Sequence, residues 1–319
     1  MTSYYNPYTN LNFIEVIGLF FKRLFTGSLT LESLASDEIQ LLVLIFISAS
    51  AAMVGTFLYL RKEVMLANAF SHTILIGIVG VYLFAGEEVM QTGLLPVRSM
   101  FVASVFTGVG TAFLVELLAR YVRLQEDASI GLVFTTLFAA GVILLTLLTK
   151  NTHIGTAIVM GNVDGLQLSD LKLAFWIFIL NLVLITLFFK EFKITTFDPA
   201  FASILGFSTL FYNYLMMTEV SITAVGAFRA VGVLMVIALI VGPPFIARLF
   251  VDRLKPLLLL SVGIGLLASL SGVALSRHLL TTLGTPYSTG GLVVTLIALF
   301  SLLSALFAPK RGLLRRHSS

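Results

Sequence analysis

The chain contains no cysteine in its 319 residues. Disulfides and thiolate metal sites are therefore excluded, and any metal must rest on His, carboxylate, amide or carbonyl groups. Charge is scarce too. Only 11% of residues are charged against 58% hydrophobic, and the mean hydropathy is +1.02. A soluble domain of this length needs a far more charged surface, so the composition indicates a polytopic membrane protein. The sequence holds no GxxxxGK(S/T), HExxH or GxSxG, and no kinase or Rossmann fingerprint. ATP binding through a P-loop is thereby excluded. A membrane enzyme would need Ser, Asp, Glu or His assembled at depth, and no such constellation can be put together. Of four histidines, His317 falls in the tail, while His153 and His278 fall in expected outer-side loops, where a solvated histidine is the simpler reading.

What the chain does have is long apolar runs. About 20 residues cross a hydrocarbon core, and nine runs are long enough: 39–60, 64–85, 97–119, 130–149, 171–190, 209–226, 227–247, 256–275 and 290–308. The sixth and seventh touch near Gly226, where one bent or re-entrant segment is an alternative. Arg61 and Lys62, Arg120 and Arg123, Lys190 and Lys193, Arg248, Arg253 and Lys255, and Lys310, Arg311, Arg315 and Arg316 follow the odd-numbered runs. The positive-inside rule makes those ends cytoplasmic. The expected fold is all-α, with about nine transmembrane helices, the N-terminus outside and the C-terminus inside.

The expected organisation has three parts. Residues 1–38 form an extracytoplasmic segment with an amphipathic helix over Phe13 to Phe25, lying on the membrane surface. Residues 39–308 form the transmembrane domain. Residues 309–319 form a basic cytoplasmic tail beside anionic lipid. The start of the chain is polar without a basic n-region, so it does not read as a cleaved signal peptide. The net charge of +4 sits in short loops that set topology, so nucleic acid is not an expected partner.

Polar groups at depth are costly and are functional candidates by default. Asn68 and His72 stand i, i+4 within the second run, one turn apart on one helix face. An imidazole and an amide oxygen make a modest site for manganese, iron or zinc, suited to a path that must also release its ion. The other reading is hydrogen-bonding glue between helices. Glu219 and Arg229 could pair across the sixth and seventh runs. After the fifth run, Asp198 can cap a short helix with Pro199 at its first position and Gly206 at its end.

Six blocks in order carry a family resemblance. They are "LRKEVMLANAFSHTILIG", "DASIGLVFTTLFAAGVIL", "GNVDGLQLSDL", "TFDPAFASILG", "AVGVLMVIALIVGPPFIARL" and "TPYSTGGLVVTLIALFSLLSALFAPKRGLL". Together they resemble the integral-membrane permeases of bacterial ABC importers for zinc, manganese and iron, from about residue 40 to 313. The resemblance implies a multi-pass protein of the bacterial cytoplasmic membrane that binds no cofactor and hydrolyses no ATP itself. Separate ATPase subunits, a second permease subunit and an extracytoplasmic metal-binding protein are the implied partners. It makes Asp198, Pro199, Ala202 and Gly206 part of the coupling helix on the ATPase. The family usually has aspartate where this chain has Asn68, which favours a heterodimer whose other permease supplies the carboxylate. A homodimer with two Asn–His pairs is the alternative. Permeases for iron–siderophore or cobalamin, and ion-coupled secondary transporters, are the competing classes; few carboxylates at depth argue against the last.

The missing cysteine makes the topology directly testable. Single replacements Glu88→Cys and Lys193→Cys leave one thiol each. Glu88→Cys is expected to react with an impermeant maleimide on intact cells, and Lys193→Cys only after permeabilisation.

Overall fold

A computed structural model describes residues 7–9, 11–26, 34–85, 97–149, 163–308 and 312. Every regular element in it is helical. Helix α1 spans Phe13–Phe25, α2 Ser36–Arg61, α3 Val64–Ala85, α4 Val97–Tyr121 and α5 Glu126–Thr149. A 3-10 turn, Val163–Gly165, precedes α6, Leu168–Leu187. Then follow α7 (Phe189–Phe197), α8 (Pro199–Ile204), α9 (Thr209–Val231), α10 (Val233–Phe250), α11 (Leu254–Leu283) and α12 (Thr289–Phe307). Among the described residues, nine helices coincide with the nine apolar runs. Six of them, α2, α5, α6, α10, α11 and α12, are long and apolar enough to cross a membrane by length and composition.

Two boundaries differ from expectation. The sixth and seventh runs separate at Gly232, not Gly226. Gly232 adopts φ 78°, ψ 165°, a backbone that only glycine enters freely. Gly226 stays helical because it packs: an added Cβ there would lie 2.0 Å from Ile177 Cδ1. The helix of the eighth run, α11, continues to Leu283, so His278 is helical and partly buried rather than in a loop. Amphipathic residues 276–282 lower the local hydropathy without breaking the helix, because Arg277 finds the buried Asp37 of α2 as an ion-pair partner.

Helix α2 is the central element, packed against α6, α9, α10 and α11. Its middle, "ISASAAMVG", is built from small residues, and small residues let helix backbones approach in the absence of a hydrophobic drive between lipid-embedded helices. The closest approach is Gly55 to α10. A Cβ on Gly55 would fall 1.9 Å from the Ile240 carbonyl oxygen. That carbonyl lacks its ordinary helical donors, since the residues three and four ahead are Pro243 and Pro244, which carry no N–H.

Polar cross-links join the other helices. Thr111 of α4 donates to Thr73 of α3 at 3.2 Å. Asn181 of α6 donates to Thr223 of α9 at 2.6 Å, and Tyr214 of α9 to Glu116 of α4. At the start of α2, the fully buried Glu38 carboxylate accepts from Tyr8 at 3.1 Å and from the Ala35 N–H at 2.9 Å, and pairs with Arg23 of α1 at 2.9 Å. Burial, then the adjacent Glu38 carboxylate, raises the Tyr8 phenol above its ordinary pKa, so it stays protonated and donates. Helix α1 is thus clasped to the bundle end where α2 begins and α11 stops, with Ile14 and Phe25 exposed.

The Gly55 contact gives a paired stability test. Gly55→Ala must push α10 away, and overpacking of this kind costs about 1–3 kcal/mol. Gly110→Ala in α4 meets nothing within 4 Å and is expected to be neutral or stabilising by up to about 1 kcal/mol. Thermal unfolding of the two purified proteins in detergent measures the difference.

Candidate functional site: an internal cavity and a capped surface helix

Asn68 and His72 occupy successive turns of α3, and both line one cavity of about 620 Å³. The remaining wall comes from the turn before α6 (Val163, Asp164), the residues flanking the α9–α10 joint (Val231, and Val233 to Met235 with Ile237 on α10) and the start of α12 (Ser288, Gly290, Gly291, Val294). The cavity therefore runs from helix ends into the bundle. The break at Gly232 shapes it, because a continuous α9–α10 helix would have no corner for Val231 and Val233 to flank.

His72 is bedded against α5, its ring centroid 5.0 Å from Phe134 and 5.3 Å from Phe138. Its Nδ1 is buried without a hydrogen-bond partner among the described residues. Helix-to-helix hydrogen bonding in this chain is made elsewhere, at the Thr73, Asn181 and Tyr214 cross-links. The two rings fix the imidazole plane and leave its ligating capacity unused. A neutral imidazole and an amide oxygen facing one space can hold a borderline divalent cation weakly.

Asp164 also lines this cavity, and sequence reasoning did not single it out. Its Oδ1 accepts from Gln40 of α2 at 3.0 Å and from Thr289 of α12 at 2.5 Å. Nothing local marks it, since the partners that hold it are more than 120 residues away on either side.

Glu219 is 1% exposed, and neither carboxylate oxygen has a hydrogen-bond partner among the described residues. It does not line the cavity. The charge acting on it is Arg61 of α2. The Arg229 side chain lies outside the described residues, as does His153.

The other expected feature is at the opposite end of α2. The Asp198 side chain accepts from the Phe201 N–H at 2.9 Å, Pro199 opens α8, and Gly206 closes it with φ 84°. The Gly206 and Phe207 N–H groups donate to the Ser203 and Ala202 carbonyls at 3.1 and 3.0 Å, the two bonds of a Schellman motif. Ala202, part of the expected coupling helix, is fully buried within the chain. The large hydrophobic residues that face outward are Phe201, Ile204 and Leu205, with Ile204 81% exposed. Of the six positions of α8, Ala202 alone packs inward; Ala200, with the same side chain, is exposed. Arg61 anchors this region: it donates to Asn213 of α9 at 2.7 Å and to Thr195 and Thr196 of α7 at 3.3 and 3.1 Å. The sequence marked Arg61 only as a topology charge, although it leads the Asn68–His72 block.

An all-helical bundle with six helices long and apolar enough to cross a membrane, around a largely apolar cavity that carries a few polar groups, is that of a multi-pass membrane protein. Residues 38–308 match the ABC 3 transport family, and the chain belongs to that family. It is 38% identical over 317 residues to a Chlamydia trachomatis chain described as a probable metal transport system membrane protein, covering 99% of this chain and 98% of that one. It is 37% identical over 285 residues to the manganese transport system membrane protein MntD of Bacillus subtilis, covering 85% and 92%. Its structure is similar to PsaBC from Streptococcus pneumoniae, solved in complex with Fab, with a TM-score of 0.75 at 25% identity over 94% of this chain and 99% of that one.

The inward and outward faces of α8 separate experimentally. Ala202→Arg is expected to lower the thermal stability of the purified protein by overpacking, about 1–3 kcal/mol. Ile204→Arg should leave it within about 0.5 kcal/mol.

Proposed function

We propose that this chain is the membrane permease subunit of an ATP-binding-cassette importer for a divalent first-row metal, manganese, iron or zinc. The observation that carries the reading is the His72 imidazole, opening on an internal cavity with its Nδ1 unpaired. A buried imidazole nitrogen without a hydrogen bond among the described residues is a cost without return as packing glue. In a path it meets a passing cation, and Asn68 one turn away adds an amide oxygen. The manganese named for the Bacillus relative supports this choice of metal. The ion is cargo, and the chain itself holds no catalytic group in this scheme.

The remaining parts follow the same reading. Nine helices cross the cytoplasmic membrane of a bacterium, with residues 1–38 outside and 309–319 inside. The alternation of Arg and Lys supports this orientation. Helix α8 sits on the cytoplasmic side and enters a groove of a separate ATPase, which supplies the ATP chemistry this chain lacks. Its exposed Phe201, Ile204 and Leu205 are the contact face, and Asp198, Pro199 and Gly206 set its ends. A second permease subunit completes the pore, a heterodimer being favoured because Asn68 lacks the carboxylate that the family usually has there. An extracytoplasmic binding protein delivers the metal to the cavity.

The test is uptake of radioactive manganese, iron and zinc by cells with matched amounts of protein. His72→Ala is expected to lower uptake of the transported metal at least about tenfold with membrane assembly intact. Ile204→Glu is expected to abolish transport and metal-stimulated ATPase activity while stability holds. Full uptake of all three metals by the His72→Ala protein overturns the pathway reading.

A further inference from the structure

The pathway at Asn68 carries no charge of its own, yet the cavity it faces is not neutral. Among the described residues that line it, Asp164 is the carboxylate. Three separate elements place it there. The backbone comes from the 3-10 turn Val163–Gly165. Gln40 Nε2 of α2 and Thr289 Oγ1 of α12 both donate to Oδ1. Gln40 and Thr289 are themselves buried, and Thr289 Oγ1 lies 3.1 Å from Ser276 Oγ of α11. The holders are sequestered while the residue they hold is exposed. The second oxygen, Oδ2, has no protein partner among the described residues.

That pattern is a pre-organised anionic ligand. One oxygen is spent on fixing the side chain beside the cavity, and the other is left for a ligand. The buried Glu38, by contrast, uses both oxygens, with Tyr8, Ala35 and Arg23. The position is also informative. Asp164 and Ser288 stand where α6 and α12 begin, whereas Asn68 and His72 are inside α3. A cation entering past the helix ends meets the charge first and the neutral pair second. Hard carboxylate oxygen strips part of the water shell, and the softer imidazole then takes a share of the coordination.

We propose that Asp164 is a metal-binding residue of this chain, and that its carboxylate supplies within the same subunit the negative charge that Asn68 does not. The proposal rests on the pathway reading above. It gives each subunit's cavity a negative charge of its own, with Asp164, His72, Asn68 and Ser288 as the polar side chains along the cation's path.

The experiment uses the full chain in cells, with its partner subunits present, and the purified full chain in detergent. Uptake of radioactive manganese is read in the first and equilibrium binding of the same isotope in the second. Asp164→Asn keeps an oxygen for Gln40 and Thr289, so the turn is retained. It is expected to lower both uptake and binding about 10- to 100-fold. The double variant Asp164→Asn with Asn68→Asp returns one carboxylate to the cavity and is expected to restore most of both. Failure of the second carboxylate to restore binding overturns the proposal, because the loss would then reflect the hydrogen bonds at the turn. Normal uptake and binding by Asp164→Asn, alongside loss in His72→Ala, overturns it while leaving the pathway standing. Normal behaviour of both single variants removes the pathway reading itself.

Discussion

The contact between Gly55 and the Ile240 carbonyl is the point on which the bundle turns. In hydrocarbon, a carbonyl without a donor is costly, because no water can replace the missing bond. Pro243 and Pro244 create such a carbonyl in α10. Helix α2 answers by bringing a glycine so close that the oxygen occupies the space of a side chain. Backbone C–H groups then face the oxygen, a weak but recurring interaction between close helices. The approach fixes the distance of α10 from α2, and with it the place of the Gly232 joint and the wall of the cavity. The two prolines and the small-residue run are therefore one device divided between two helices.

Ion pairs set the end of the bundle as the glycine contact sets its middle. Asp37 and Glu38 stand side by side at the start of α2, both buried, and each has a cation from a different helix, Arg277 and Arg23. Breaking a buried pair by removing one partner costs about 3–5 kcal/mol. The N-terminal helix is thus held by chemistry stronger than its amphipathic face alone provides. Since α11 and α2 also pack along their lengths, the same pairs fix the register in which Ser276 meets Thr289 and Thr289 meets Asp164.

Much of the fold was legible in the sequence because apolar runs of about 20 residues have few structural solutions in a membrane. Asn68 and His72 were legible for the converse reason, as polar residues in an apolar run one turn apart. The capped helix at Asp198 was legible because caps are local chemistry. Three things were not. The joint falls at Gly232, with its positive φ, and not at Gly226, which stays helical against Ile177, though nothing local tells the two glycines apart in the sequence. Ala202 faces inward because of its neighbours in α7 and α9, not because of its own pattern. Asp164 lies in a short polar turn like many others, and only the convergence of Gln40 and Thr289 sets it apart.

The joint between α9 and α10 is a single residue, so the two helices have no slack between them. Helix α9 has 23 residues, a rod of about 34 Å at the usual rise per residue. It starts just past α8, where Arg61 grips Asn213, and ends on the cavity at Val231. A displacement at one end of such a rod cannot be absorbed by a loop at the other. It has to appear as a change in the angle at Gly232. The width of the cavity and the position of the surface helix are then two readings of one lever.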